Sequence, residues 1–484
     1  MSAAAGGPAP APASMAMLIR QAELPDGGHA DVRLRGGRIA ALGSLSAEAG
    51  ERVVDAGGCL LLPGLHDHHL HLYSLAAAGE SLHCGPPEIR SAEDLAIALE
   101  RRSRAATGWI RGFGYHESVA GELDRKWLDG AVPELPVRIQ HRSGRLWVFN
   151  SAGLERLARS AASRGVPVPP VDPIRGQLYD ADDTLHAALG SEPPDLRAVS
   201  SDLAACGVTG VTDMTPDNDR QTFDRLTRAQ ARGEFSQRLL MAGRTDLDRS
   251  AAGTPRAAIG PAKFHLHESA LPPFERLCRS VAACHERERT VAFHCVTETE
   301  LVYALAALTE VGSLPGDRIE HASVTPDALL AQIQTLGLTV VTQPNFVAER
   351  GEAYLADVPE ADRPYLYRVR SFLAAGVPLA AGSDAPFGRP DPWFAMQAAV
   401  TRQTAGGRVL GAGESVSPEQ ALALFTGEPD RPAVSRVVAE GAAADLVLLD
   451  GPWRQVRAAL SRERVRMTVA AGVVTYELSM RSAG

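Results

Sequence analysis

Between residues 61 and 384 short apolar runs alternate with Ala/Leu/Arg-rich stretches of helical character. Strands of a parallel sheet covered by helices on both faces read as continuous apolar runs. The pattern therefore confines the chain to an α/β architecture with a buried sheet. The runs are LLPGLHDHHLHL (61–72), VRIQHR (137–142), VTGVTDM (208–214), AKFHLH (262–267), VAFHC (291–295), RIEHA (318–322), LTVVTQP (338–344) and PLAAGSD (378–384). Eight in order fit a closed (β/α)8 barrel of the TIM type. A further run, RLLMAGR (238–244), competes for a place and is set aside because it ends in no reactive group. The stretches 73–136 and 142–207 are long for simple crossovers and are expected to carry insertions.

Barrels of this kind place their reacting groups at the C-terminal ends of the strands. Here the first run ends with His69-Leu70-His71, the fourth carries Lys263, the fifth ends at His294, the sixth at His321 and the eighth at Asp384. Alternation along a strand puts His69 and His71 on one face, where both can reach a single ion. Imidazole and carboxylate suit zinc and similar divalent ions. A lone His-x-His is more often a satisfied structural pair, and His294 or His321 alone says less. Five strand ends carrying such groups in one barrel make a metal centre the expectation.

Those residues resemble a known family. LPGLHDHHLHL is similar to the first-strand signature of the amidohydrolase superfamily, as are RIEHAS, AAGSDAP and GAAADLVLLD. GWIRGFGYHES, NSAGL, GVTGVTD, TQPNF and DPWFAMQAAVTRQT extend the likeness to its YtcJ-like, amidohydrolase 3 branch over nearly the whole chain. The resemblance implies His69, His71, His294 and His321 as metal ligands and Asp384 as a catalytic base that also touches the metal. It implies hydrolysis of a C–N bond in an N-acyl amide, formamide, carbamate or cyclic amide. An ester, lactone or phosphoester hydrolase on the same barrel, and a binding or scaffold protein on a dead barrel, are the other readings. The scaffold predicts lost ligand positions, and here each is filled.

Lys263 leaves two possibilities open. It is carboxylated and bridges two zinc ions, as in many relatives, or it is a plain salt-bridge residue beside one ion. The branch often shows Asp-Gly where this chain has His267-Glu268. His265 is expected below the site and His267 at its rim, near substrate. His66 and His68 fall on the opposite face from the ligand pair and read as structural; Asp67, on the ligand face, is expected to orient the site. Cys295 is expected to pack. Where relatives often carry Ser-Gly-His, the chain has Ser143-Gly144-Arg145, so Arg145 is a candidate for a planar anion. Trp147 and His116 are further substrate candidates, with Arg111, Phe113 and Tyr115 behind them; for all of these a surface or core role is the plainer reading.

Residues 15–62 and 433–484 contain β-type runs broken by Gly and Asp, the pattern of a small antiparallel sheet at each end. The resemblance implies one β-sandwich built from both, with 63–432 as the barrel. Residues 1–14, MSAAAGGPAPAPAS, lack the charged start and apolar stretch of a secretory signal and are expected to be a disordered tail. A formal net charge of −9 speaks against nucleic acid and anionic membrane as partners. The six cysteines are scattered without metal-site spacing, which suits a reduced, cytoplasmic compartment. A small-molecule substrate is the expected partner, and a homodimer is compatible with the resemblance.

Overall fold

The computed structural model describes residues 16–478 except 87, 106–107, 191–192 and 249–252, so the expected N-terminal tail lies outside the described residues. The chain divides into two compact units. One runs to Leu72 and resumes at Leu196; the other is Tyr73–Asp195.

The larger unit holds an eight-stranded parallel sheet. Its strands are β1 (Leu65–Leu70), β2 (Val208–Asp213), β3 (Arg238–Gly243), β4 (Ala257–His265), β5 (Val291–Cys295), β6 (Arg318–His321), β7 (Thr339–Thr342) and β8 (Leu379–Ala381), side by side in chain order. The ring closes between β8 and β1. A parallel bridge joins Leu70 to Ala385, the amide of Asp384 donates to the His69 carbonyl (2.7 Å), and that of His71 donates to the Ala385 carbonyl (2.8 Å). Gly382 permits this approach, because a Cβ there would lie 2.4 Å from the His69 nitrogen.

The expected barrel is therefore present, with one exchange among its strands. RLLMAGR supplies β3, whereas VRIQH (Val137–His141) belongs to the other unit. Burial explains the exchange. Arg238–Gly243 is buried at every position after the first, as a strand covered on both faces must be. Val137–His141 alternates between buried and half-buried residues, the mark of a sheet with one wet face. The order of the reactive strand ends is unaffected.

Helices begin where the sequence supplies caps. Asp219 accepts from the Thr222 amide at the start of Arg220–Ala231, and Thr297 and Glu300 form a capping box at the start of Glu298–Val311. Among the described residues no helix is long and apolar enough to cross a membrane.

Two four-stranded sheets come from the chain ends. Arg38–Gly43, His29–Arg35, Met17–Glu23 and Arg52–Asp55 form one; Val473–Glu477, Val465–Ala470, Leu446–Leu449 and Leu61–Pro63 form the other. Ile19, Val32 and Leu34 from the first share one core with Leu446, Leu448 and Val469 from the second, so the two pack as a sandwich. The first sheet is mixed rather than antiparallel, since Met17–Glu23 and Arg52–Asp55 run parallel.

The inserted unit, Tyr73–Asp195, has its own five-stranded sheet in the order Gln177–Tyr179, Leu146–Phe149, Val137–His141, Ile110–Tyr115, Leu82–His83. Buried Asn150 pins it: its side chain accepts from the Val137 and Gly153 amides and donates to the Val132 and Leu135 carbonyls, each at 2.8 Å.

Candidate metal centre

Strand β1 presents Asp67, His69 and His71 by alternation, and the close of the barrel brings Asp384 against them. Asp384 Oδ1 lies 3.4 Å from His69 Nε2 and 3.2 Å from His71 Nε2. One ligand atom from each of the three residues falls within 4.8 Å of the others, compact enough to hold an ion. The next rings follow round the mouth. His321 is 4.7 Å from His69, and His294 is 4.5 Å from His321, between ring centroids.

The imidazoles are oriented from behind. Glu320 Oε2 lies 2.5 Å from His69 Nδ1, Gln343 Oε1 lies 2.7 Å from His321 Nδ1, and Thr215 Oγ1 lies 3.1 Å from His71 Nδ1. Engaging Nδ1 in each ring leaves Nε2 for a metal, which is how protein partners fix a ligand histidine. Glu320 is itself backed by Arg318, whose Nε is 2.5 Å from Glu320 Oε1 and whose Nη2 donates to the His68 carbonyl. Asp67 Oδ1 accepts from the amides of His69 (3.1 Å) and Ser383 (3.0 Å), tying β1 to the segment that carries Asp384.

Among the described residues, His321 Nε2 and Lys263 Nζ are buried here without a hydrogen-bond partner, as are Asp67 Oδ2 and Gln343 Nε2. Buried polar groups left unpaired in this way call for a ligand, and the nitrogen and oxygen donors suit zinc. The residues thus fit a divalent ion. Burial pushes the Lys263 ammonium down to about 8, so a neutral amine is accessible near neutral pH. Burial also holds His69, His294 and His321 well below the ordinary imidazole value, in the neutral form a ligand needs. Burial alone would raise Asp384, but its hydrogen bond with His71 and the neighbouring imidazoles outweigh that and keep it below the usual carboxylate range. It is an anion at neutral pH.

Three of the nine non-glycine residues with positive φ among the described residues lie at these strand ends. His321 (φ 70°), Ala322 (φ 47°) and Asp384 (φ 55°) occupy the left-handed region, which non-glycine residues rarely adopt. In an extended strand Glu320 and His321 would point to opposite faces. The left-handed turn at His321 breaks the alternation, so that Glu320 reaches His69 from below while His321 flanks the same ring. Neither Glu320 nor Gln343 stands out in the sequence search for ligands. The usable signal is Arg318-x-Glu320, two charges on one face of an otherwise apolar strand.

The remaining candidates are placed as follows. His265 is exposed rather than below the site, because residues later along a barrel strand lie nearer the mouth; its ring is 4.5 Å from His294 and 4.2 Å from His267, which is also exposed. His66 bonds Thr212 on the other face of β1. Cys295 is buried, its thiol pushed well up by burial. Arg145, Trp147 and His116 belong to the inserted unit. There Arg145 pairs through Nε and Nη2 with Asp180 (2.7 and 2.6 Å), Trp147 is core and donates to Asp182 (2.7 Å), and His116 caps Glu117–Ala120.

The sequence pattern of the Amidohydrolase family matches residues 52–476. An N-substituted formamide deformylase from Arthrobacter pascens is 24% identical over 92% of this chain and 94% of its own. An N-acyl-D-aspartate deacylase from Alcaligenes xylosoxydans xylosoxydans is 44% identical over 42% of this chain and 37% of its own. Among solved structures, an uncharacterized metal-dependent hydrolase from Pyrococcus horikoshii OT3 superposes with a TM-score of 0.71 at 21% identity, covering 90% of this chain and 96% of that one.

Proposed function

The chain belongs to the amidohydrolase family, hydrolytic enzymes that act on non-peptide C–N bonds, and from that premise we propose that it hydrolyses an amide-type bond at a zinc centre formed by His69, His71, His294, His321 and Asp384. The observation that carries this reading is the set of imidazoles whose Nδ1 atoms are tied from behind, around an anionic Asp384. A divalent ion bound there supplies Lewis acidity, lowering the pKa of water towards about 7 and polarising a carbonyl. Asp384 does the proton work. Its Oδ1 accepts the proton of the attacking water and delivers it to the leaving nitrogen, which departs as a neutral amine. The acyl carbon gains the hydroxyl, so water is divided between the two products.

Lys263 supports a second ion. Its buried Nζ has no hydrogen-bond or ion-pair partner among the described residues, which disfavours a plain salt bridge. A neutral Nζ adds to the carbon of CO2 and loses one proton, leaving a carbamate whose oxygens can bridge two cations. Protein equilibrated with carbon-13 bicarbonate is expected to show a carbamate resonance that Lys263→Met lacks. No resonance in the wild type assigns one ion and an unmodified lysine.

The substrate class is tested with zinc-loaded protein on matched pairs of N-substituted formamides, N-acyl amines and the corresponding esters. Turnover of amides over esters is expected. Preference for the esters overturns the C–N assignment.

A further inference from the structure

Arg111 and Arg138 stand directly opposite each other on the adjacent parallel strands Ile110–Tyr115 and Val137–His141 of the inserted unit. Their neighbours Ile110, Val137 and Ile139 point the other way, into a hydrophobic core. Like charges opposite each other on neighbouring strands repel. No carboxylate pairs with them: among the described residues neither guanidinium makes an ion pair or a hydrogen bond, and the Nε of each is buried without a partner. Indoles hold them instead. The Arg138 guanidinium lies 5.2 Å from the Trp147 ring and 5.4 Å from that of Trp109, and the Arg111 guanidinium lies 5.9 Å from Trp147. Two acids stand near without forming an ion pair: Glu80 and Asp182 favour the charged form of Arg111, and Asp182 that of Arg138, against the burial that disfavours it, and Asp182 is itself engaged by Trp147 Nε1.

Buried arginines elsewhere in the molecule are compensated. Arg318 meets Glu320, Arg368 meets Glu414, Arg289 donates to the carbonyls of Arg244, Leu247 and Pro261, and Arg402 to those of Leu366, Tyr367 and Leu410. A half-buried pair with no ion pair and no hydrogen bond is a cost that a bound anion would reduce, and guanidinium forks favour oxyanions by paired hydrogen bonds. The contacts with the indole rings leave the donors of both forks unspent.

We propose that Arg111 and Arg138 form a receptor for the oxyanion, carboxylate or phosphate, of a small molecule. The site goes beyond the hydrolytic reading and is measured without turnover, so either can fail alone. Calorimetric titration of the full chain with sodium benzoate and, separately, with inorganic phosphate is expected to give saturable binding of at least one. The better probe identifies the group as carboxylate or phosphate. Arg111→Gln and Arg138→Gln should each weaken that binding at least about tenfold. Arg138→Lys, which keeps the charge and loses the fork, should fall between them and wild type. Far-UV circular dichroism checks that each variant is folded, and any one folded variant suffices for the comparison. Absence of binding by both probes, or equal affinity in a folded Gln variant, overturns the proposal.

Discussion

At the barrel mouth the charged side chains other than Lys263 meet a counter-group: Arg318 holds Glu320, Glu320 holds His69, and His69 and His71 hold Asp384. In the five-stranded sheet of the inserted unit, Arg111 faces Arg138 and, among the described residues, neither pairs directly with a carboxylate. The strands differ in kind as well. Barrel strands β2 and β7 are buried at every position, whereas Ile110–Tyr115 and Val137–His141 alternate. In a strand sealed on both faces an unpaired charge is costly, so polar residues there come mostly as networks, and Lys263, the exception, is driven by burial towards its neutral form. On a half-open sheet a charge can await an external partner. The same residue type therefore means different things in the two units.

Four substitutions press on that contrast. The largest effect is expected for Asp384→Asn, which removes the proposed base: kcat on an amide substrate should fall about a thousandfold, while metal content by elemental analysis stays near wild type. An active variant places the base elsewhere. Next, Asn150→Ala strips the inserted unit of four buried hydrogen bonds and should cost about 3 kcal/mol of stability by denaturant titration. A loss below about 1 kcal/mol would mean that the neutral network there is dispensable. Glu320→Gln keeps the shape and removes the charge behind His69; zinc affinity by competition with a chelator should weaken about 10- to 100-fold. Unchanged affinity would uncouple the carboxylate from the centre. The smallest change is Tyr115→Phe, which deletes the 2.7 Å bond from its hydroxyl to the Gly121 carbonyl and should cost about 1 kcal/mol. A much larger loss would show that the inserted sheet is as intolerant of polar deletion as the barrel.

The contrast also explains what could be read in advance. Continuous apolar runs and the residues that end them were enough to name the barrel, and with it His69, His71, Lys263, His294, His321 and Asp384 as the residues to inspect. Choosing strands by their chemical endings admitted VRIQHR and set aside RLLMAGR, although burial on both faces is the physical criterion and only the second run meets it. Glu320 stayed hidden because alternation assigns it to the face opposite His321, and no residue pattern announces a left-handed backbone at a histidine. The insert's independence was legible only as excess length. Its arginine pair became visible once strand register set residue 111 beside residue 138.

The seam between β1 and β8 joins the two ends of the barrel sequence, with Asp67 and Ser383 in contact across 316 residues of chain. His69 and His71 stand on one side of it and Asp384 on the other. A cation gripped by all three would act as a clasp on the ring. Withdrawing the cation should let the amide hydrogens of His71 and Asp384 exchange with solvent before those of β4 and β5, opening the ring where it was last shut.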